Sequence, residues 1–423
     1  MEQQTQAQAA AAVPADSIPR RPGSGPVAAP RAAGRFARRA AALALVACGT
    51  LATTACEDDG GGDPDASSND TGADTTPISG TWVRLGNHPC TQYRVNTAVV
   101  EDDGQRLWVG CGQGATGFGL FTSSDGGATW ASPAVDPAFY FDIFRVWTLQ
   151  RSADGLLYVG GVGTGLSARV VSLDTTQDPP VVATVHNAGT LSGTAFTVGA
   201  FVRTANGTAL ASSGTGFGLL ARAADEDDFE VVDEPMTDGS NHQFLSLRVD
   251  RSDLRGNDIY GTGSTIAAPH IVMVPALEPP EDAIVSFDAV EFTTTGTLWD
   301  SAVEDGHVVA VGVEENANYG IAWVSGEDLR DPTTWTRIDA RTVTGVSDRT
   351  TRFYGACRNG ATIVAVGDYS QRSEALAIRS TDNGVTWEDI TPPDAPILGA
   401  CHVANDGTVR VLGGSGYTGV LAP

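Results

Sequence analysis

The chain has 423 residues, and 41% of them are apolar, so it is long enough for two or three ordinary domains or for one large repeat array. Fifty glycines indicate many turns, and the formal net charge is −25. Because a surface this acidic repels phosphate backbones and anionic headgroups, nucleic acid is not an expected partner.

Residues 1–55 have the pattern of a leader followed by an export signal. Residues 1–39 are rich in Ala, Gln, Pro and Arg, and they end in the basic stretch Arg35–Arg39. Residues 40–55 carry no charge and are too short for a comfortable membrane span, but they suit the apolar core of a signal peptide.

A cysteine follows this signal. Leu51–Cys56 resembles a bacterial lipobox, in which small residues precede a cysteine whose thiol receives a diacylglyceryl group. Leu45–Cys48 is the alternative, although it leaves only about eight apolar residues after the basic stretch, near the lower limit for a signal core. We therefore predict an exported bacterial lipoprotein, anchored to the lipid bilayer of the cell envelope through Cys56 or alternatively Cys48. The outer membrane or the cell surface is favoured over the inner membrane.

Residues 56–79 are predicted to be an acidic, disordered tether. Residues 57–79 contain seven acidic residues, four glycines and two prolines, with Ile78 as the one large apolar side chain. Such a segment buries too little apolar surface to fold, and its charges repel one another. The folded domain is therefore expected at residues 80–423.

From residue 80 onward the sequence repeats with a period of about 50 residues. Each unit has a strand, a turn, a second strand that ends in a small residue and Gly, and then a third strand. The closing glycines are Gly110, Gly160, Gly214, Gly263, Gly312, Gly367 and Gly413, spaced 46 to 55 residues apart. Seven units at this period predict a propeller or a solenoid.

Two segments, Ser123–Trp130 and Ser380–Trp387, follow the pattern S-x-D-x-G-x-T-W at every fixed position. In a tight hairpin the Asp accepts backbone N–H groups, the Gly supplies a positive φ and the Trp packs on the sheet. The chain resembles the Asp-box (BNR repeat) β-propellers, a superfamily with sialidases, sortilin-like receptors and photosystem-assembly factors. The resemblance implies a structural role for Ser123, Asp125, Gly127, Thr129, Trp130, Ser380, Asp382, Gly384, Thr386 and Trp387.

The two ends of the repeat array are complementary. The last unit stops after its third strand, whereas Gly80–Leu85 looks like a fourth strand that lacks its Asp-box. We predict an all-β fold, a seven-bladed β-propeller with four-stranded antiparallel blades, whose last blade is closed by the N-terminal strand 81–85. An open solenoid would not explain these ends.

The Asp-box turns and the turns between first and second strands are expected on one face, which we call the Asp-box face. The opposite face, the loop face, carries the variable loops, where propeller ligands usually bind. The predicted binding residues on it are Tyr93, Arg94, Tyr140, Arg145, Arg352 and Tyr369.

The resemblance to sialidases implies an alternative function, exo-α-sialidase-type glycoside hydrolysis. Tyr93–Asn96 stands where those enzymes carry the first arginine of a carboxylate-binding triad, and Tyr354 lies near the position of their nucleophile. A Glu partner and two further arginines are not identifiable, so Arg94 and Tyr354 are catalytic candidates only under this alternative. The six histidines lack metal-ligand spacing, and we expect neither a metal nor a cofactor.

Four cysteines follow the signal, namely Cys90, Cys111, Cys357 and Cys401. An even number in an exported chain suggests disulfides. The pair 90–111 is favoured, whereas the pair 357–401 needs Cα atoms within about 7 Å, which neighbouring blades do not guarantee.

Function follows from the fold and its predicted location. We predict a monomeric, envelope-anchored scaffold that binds a protein or a glycan without catalysis. Sialidase-type hydrolysis is the alternative, and assembly of an envelope complex is a third option.

Overall fold

The structure is a computed structural model of the chain. It describes residues 80–91, 95–101, 104–112, 119–133, 145–162, 168–187, 198–205, 207–213, 219–222, 229–231, 243–250, 258–264, 269–274, 285–287, 296–314, 319–326, 328–329, 331–347, 349–369 and 374–423. All of these belong to one compact unit, Thr75–Pro423. The predicted signal, the tether, Cys48 and Cys56 lie outside the described residues, as do Tyr93, Arg94 and Tyr140.

The described residues are almost entirely β-strands. The strands are β1 (Trp82–Arg84), β2 (Val95–Val100), β3 (Leu107–Cys111), β4 (Leu120–Ser123), β5 (Arg145–Arg151), β6 (Leu157–Val162), β7 (Ala168–Asp174), β8 (Val181–Asn187), β9 (Val198–Arg203), β10 (Ala209–Ser213), β11 (Leu219–Arg222), β12 (Glu230–Val231), β13 (Gln243–Val249), β14 (Ile259–Ser264), β15 (Pro269–Val274), β16 (Val285–Phe287), β17 (Gly296–Glu304), β18 (His307–Glu314), β19 (Tyr319–Val324), β20 (Thr336–Asp339), β21 (Thr351–Asn359), β22 (Thr362–Tyr369), β23 (Glu374–Ser380), β24 (Glu388–Asp389), β25 (Leu398–Val403), β26 (Val409–Gly413) and β27 (Thr418–Leu421).

A single short helix, α1 (Ala340–Thr344), interrupts the strands of the described chain, together with 3-10 turns at Pro332–Thr334 and Gly414–Gly416. The side chain of Asp339 caps the start of α1 by accepting the Arg341 N–H, and Gly345 ends it with a φ of 70°. The prediction of an all-β fold is therefore confirmed apart from this one turn of helix.

The described strands form seven antiparallel sheets, which we number by chain order of their first strands. Sheets 1 to 6 begin with β2, β5, β9, β13, β17 and β21. Sheet 7 has the order β1-β27-β26-β25, so it joins the two ends of the domain. Trp82 lies opposite Leu421 and Val83 opposite Val420, and the Trp82 indole donates to the Ile390 carbonyl at 2.7 Å. The predicted pairing of strand 81–85 with the last unit is thus confirmed.

Sheet 1 departs from the predicted four strands. In the part of the chain that is described it contains β2, β3 and β4, and the expected fourth strand is reduced to one bridge between Thr122 and Ala131. Pro133 follows two residues later, and a proline has no N–H with which to continue the ladder. The prediction of a full fourth strand is wrong for this sheet.

The hydrophobic core lies between neighbouring sheets. On β22, Ile363 and Ala365 belong to a buried cluster shared with sheet 5, whereas Val364 and Val366 belong to one shared with sheet 7. Because successive strand residues point to opposite faces, a strand between two packed sheets is apolar on both sides. This arrangement explains the continuous apolar run Ile363–Val366.

The first strands of the sheets are neighbours in order. β2 contacts β5, β5 contacts β9, and the contacts continue through β13, β17 and β21 to β25, which contacts β2. At this last junction a Cβ on Gly399 would lie 2.0 Å from the Val95 carbonyl oxygen, so only glycine fits between sheets 7 and 1.

Each first strand also carries a register shift of the β-bulge type at the same place in the repeat. In six sheets the extra residues are Asn96, Trp147, Leu245, Trp299, Tyr354 and Gly399. Trp299 and Tyr354 stack with ring centroids 4.6 Å apart and an interplanar angle of 8°. Asn96 donates to the Val146 carbonyl of the next sheet at 2.9 Å.

Both predicted disulfides are present. Cys90 and Cys111 have Cα atoms 6.1 Å apart, and both side chains are buried. Cys357 and Cys401 have Cα atoms 5.7 Å apart and join β21 to β25, the first strands of neighbouring sheets. The second pair, which the sequence left open, is therefore close enough because adjacent first strands pack directly against each other.

Candidate ligand-binding site

The first Asp-box is held by a closed set of hydrogen bonds. Ser123 Oγ donates to Asp125 Oδ1 and accepts from the Gly127 N–H, both at 2.8 Å. The Thr129 N–H donates to Asp125 Oδ1 at 2.8 Å, and its hydroxyl donates to Oδ2 at 2.5 Å. The Trp130 indole donates to the Gly127 carbonyl at 3.1 Å. The carboxylate is thus engaged by its own turn.

The second Asp-box repeats these bonds one by one. Ser380 bonds Asp382 and Gly384 at 2.8 Å, Thr386 bonds Asp382 at 2.8 and 2.6 Å, and Trp387 bonds Gly384 at 2.9 Å. Hydrogen bonds, first from the Thr129 side chain, lower the pKa of Asp125 to about 2. At Asp382, burial acts to raise the pKa of the carboxyl group. The hydrogen bonds from Thr386 and Ser380 outweigh burial, so this pKa still lies below its usual value.

The Asp-box turns lie beside the turns between first and second strands. The Gly126 N–H donates to the Gln105 carbonyl at 2.7 Å, and the Asn383 N–H donates to the Ala361 carbonyl at 3.0 Å. Because antiparallel strands alternate in direction, the connections between second and third strands and between sheets lie at the opposite end. These two ends are the Asp-box face and the loop face.

Three predicted binding residues are described, and all lie at the loop face. Arg145 begins β5, Arg352 is the second residue of β21 and Tyr369 ends β22. Tyr354 lies further along β21, where its side chain is 7% exposed and stacks on Trp299. Its phenolic oxygen is buried.

Tyr369 belongs to a cleft of about 600 Å³ between sheets 6 and 7 on the loop face. The cleft collects residues from β1, from the ends of β22 and β23, from the segment between β24 and β25, and from the turn before β27. It is lined by Arg84, Tyr369, Glu374, Ala375, Thr391, Pro392, Pro393, Asp394, Ala395, Pro396 and Ser415.

The segment 391–396 gives the cleft a fixed wall. Its three prolines restrict the backbone φ angles. The Ala375 N–H donates to the Ala395 carbonyl at 3.0 Å, the Ala377 N–H donates to Thr391 Oγ1 at 3.0 Å, and the Gly414 N–H donates to the Ile397 carbonyl at 2.7 Å. The segment is therefore tied to sheet 6 on one side and to sheet 7 on the other.

Two non-glycine residues of the cleft have a positive backbone φ. Asp394 has a φ of 60° and Ser415 a φ of 52°. Of the described non-glycine residues, only Asp305 and Asn383 share a positive φ, and these lie in the β17–β18 turn and in an Asp-box turn. Asp394 and Ser415 also lie in turns, the first at residues 393–394 and the second in the 3-10 turn Gly414–Gly416.

The cleft presents charges of both signs and several hydroxyl groups. Arg84 donates to Asn87 Oδ1 at 3.0 Å and lies 5.4 Å from the centre of the Tyr417 ring, while Glu374 is paired with Arg349. Burial raises the pKa of Tyr369, although hydrogen bonds to Thr344 and Thr391 oppose it. This phenol is therefore protonated and neutral at neutral pH.

Sequence reasoning identified Tyr369 but missed Arg84, Glu374, Asp394 and Ser415. The run Thr391–Pro396 has turn composition, yet nothing in the sequence marks Asp394 or Ser415 as left-handed. Arg84 belongs to the N-terminal strand β1, and it lies at the cleft because β1 pairs with β27.

The described residues lack two kinds of feature. They contain no group of three or more His, Cys, Asp or Glu side chains placed to hold a metal ion. Within the same ranges, no helix combines the length and apolarity needed to span a membrane.

Neither the comparison with protein-family models nor that with curated proteins gives a match. The fold does match solved structures of β-propeller proteins. YCF48 from Cyanidioschyzon merolae is similar with a TM-score of 0.56 and 12% identity over 81% of this chain and 99% of that chain. The RRP9 WD40 repeats are similar with a TM-score of 0.55 and 10% identity, over 81% of this chain and 97% of that chain. Virginiamycin B lyase from Staphylococcus aureus is similar with a TM-score of 0.54 and 11% identity, over 81% of this chain and 99% of that chain. At this identity the likeness shows the fold alone, and the chain has a β-propeller fold.

Proposed function

We propose that the chain is an exported lipoprotein whose Asp-box propeller binds a protein or glycan ligand of the cell envelope without catalysis. The lipidated residue is Cys56, with Cys48 as the alternative. The observation that carries the binding role is the cleft between sheets 6 and 7, a concave site on the loop face.

We further propose that residues 80–423 form seven blades in a closed ring. The seven sheets, the unbroken series of contacts between first strands, and the pairing of β1 with β27 support this arrangement. A closed ring leaves only short sheet edges and places the loops of all blades around one opening.

The sialidase-type alternative gains no support from the described residues. A nucleophile has to reach its substrate, whereas the Tyr354 oxygen is buried and the ring is covered by Trp299. The Asp-box carboxylates are occupied by their own turns. Turnover of a fluorogenic sialoside that is lost in Arg94→Ala or Tyr354→Phe would overturn the non-catalytic proposal.

The anchor is tested by mass spectrometry of the mature N-terminus from envelope fractions. We expect a diacylglyceryl cysteine at position 56 and loss of membrane retention in Cys56→Ala, whereas Cys48→Ala is processed normally. The reverse result would assign the lipid to Cys48. A mature protein that carries no lipid on either cysteine would refute the proposed anchor.

The binding role is tested with labelled full-length protein and isolated bacterial envelopes. Arg84→Gln and Glu374→Gln change exposed cleft residues and are expected to reduce retention. Arg106→Gln removes an exposed charge beside the first-to-second strand turn of the Asp-box face, so it serves as the control. Equal retention of all three variants would contradict binding through the cleft. An envelope complex that assembles only in the presence of the protein would instead favour the assembly role.

A further inference from the structure

We infer that the cleft between sheets 6 and 7 binds a short, neutral saccharide. This inference rests on the proposed binding function and names the ligand class of the same site. The chemistry of the lining groups, their charge balance and the size of the cleft support it.

Two left-handed turn residues place polar side chains at the cleft. Glycine would adopt the left-handed conformation of Asp394 and Ser415 at no steric cost, yet both positions carry polar side chains. Both residues are exposed and line the cleft, one from the 391–396 segment and one from the turn before β27. A carboxylate and a hydroxyl thus line the cleft.

The lining groups match the chemistry of sugar hydroxyls. A sugar hydroxyl donates one hydrogen bond and accepts others, so it pairs both with acceptors and with donors. The Asp394 carboxylate accepts, the Arg84 guanidinium donates, and the Ser415 hydroxyl does both. Pro393 and Pro396 add apolar surface against which the C–H face of a sugar ring packs.

The charge balance favours a ligand without net charge. Arg84 and Asp394 have opposite signs, and the Glu374 carboxylate is already paired with Arg349. An anionic sugar would also meet the repulsion of a chain that carries a net charge of −25. The volume of about 600 Å³ is typical of a small-molecule site.

A peptide ligand fits the same walls less well. Peptide and protein interfaces concentrate their affinity in aromatic or aliphatic anchors that fill deep apolar pockets. Here the apolar lining is proline, alanine and one tyrosine that is itself buried, and the polar groups lie on the exposed rim. Capture of a protein at the cleft is therefore a result that would count against the saccharide.

The test titrates the purified full chain with cellobiose, lactose, maltotriose and chitobiose, and with sialyllactose as the anionic probe. Saturation-transfer NMR and calorimetry report binding. Asp394→Asn keeps a residue that tolerates the left-handed conformation but removes the charge, and Ser415→Gly relieves the strain while removing the hydroxyl. Asp305→Asn makes the same exchange at another left-handed residue, on the Asp-box face, and is the matched control.

We expect at least one neutral sugar to bind, and the two cleft variants to weaken that binding at least about tenfold, since each removes a polar group, a carboxylate or a hydroxyl, that would bond the sugar hydroxyls. Their thermal midpoints should not fall, and Asp305→Asn should bind normally. No binding of any neutral sugar, or equal binding by the cleft variants, would overturn the inference.

A photo-cross-linker at position 393 distinguishes failure of the saccharide inference from failure of the proposed binding function. If neutral sugars do not bind but an envelope protein is cross-linked at position 393 and not at Val385 in the Asp-box turn, the saccharide inference falls and the binding role stands. If neither position captures a ligand and no sugar binds, both fall.

Discussion

The Asp-box carboxylates hold their turns through charge-dependent hydrogen bonds, which makes their contribution to stability depend on pH. The pKa of Asp125 is about 2 in the folded protein, below its usual value of 3.8, because the bonds from Thr129 and Ser123 favour the charged form. A group with a lowered pKa contributes fully above pH 4, and its contribution disappears as the pH falls toward 2.

We therefore predict that Asp125→Asn destabilises the domain at pH 7 and that the difference from the parent chain shrinks between pH 4 and pH 2. Urea unfolding at several pH values measures it. Asp382→Asn should show the same trend, since the pKa of Asp382 is lowered by the equivalent bonds. A difference that stays constant down to pH 2 would show that the charge of the carboxylate does not matter.

His88 adds a second dependence on pH. Its side chain is fully buried between β1 and β2, its ring meets Trp130 edge-on at 5.7 Å, and burial lowers its pKa from 6.5 to about 4. Because the unfolded chain binds this proton more tightly, stability falls as the pH drops from 6.5 to about 4, by roughly 3 kcal/mol. His88→Phe should abolish that part of the pH profile in chemical unfolding. An unchanged slope between pH 6.5 and 4 would refute the assignment.

At the scale of the strand, the register shifts place side chains from neighbouring sheets in contact. Trp299 and Tyr354 occupy the equivalent extra position of sheets 5 and 6, and their stacking joins these sheets near the loop face. Asp300 follows Trp299 and accepts from Ser246 of sheet 4 at 2.9 Å and from the Ala356 N–H of sheet 6 at 3.1 Å. Strand β17, the first strand of sheet 5, is thus hydrogen-bonded to the first strands of both neighbouring sheets.

We predict that Tyr354→Ala lowers the free energy of unfolding by roughly 3–5 kcal/mol, because it removes a buried aromatic ring and leaves a cavity. Tyr354→Phe keeps the stack and should cost less than about 1 kcal/mol. Thermal and urea unfolding measure both. A loss in Tyr354→Phe as large as in Tyr354→Ala would show that the phenolic oxygen, and not the stacking, matters at this position.

Over the whole molecule, the sequence predicted the features that depend on neighbouring residues. The Asp-box could be predicted because its bonds run between residues two to four positions apart, and the repeat could be predicted from its closing glycines. In the described part of sheet 1 the fourth strand is reduced to one bridge, because Pro133 has no N–H with which to continue the pairing. The cleft could not be predicted, since Arg84, Tyr369, Asp394 and Ser415 meet only through the folding of distant segments.

The pairing of β1 with β27 gives the clearest test of ring closure. Val83 and Val420 are opposite each other in an antiparallel pair, where Cα atoms lie about 5.5 Å apart, within reach of a disulfide. We predict that Val83→Cys with Val420→Cys forms a disulfide on oxidation and raises the free energy of unfolding by up to about 5 kcal/mol, because it closes a very long loop. Arg84→Cys with Val420→Cys is out of register and should stay reduced. Non-reducing electrophoresis and urea unfolding separate the two variants, and cross-linking of the second rather than the first would place β1 in another register.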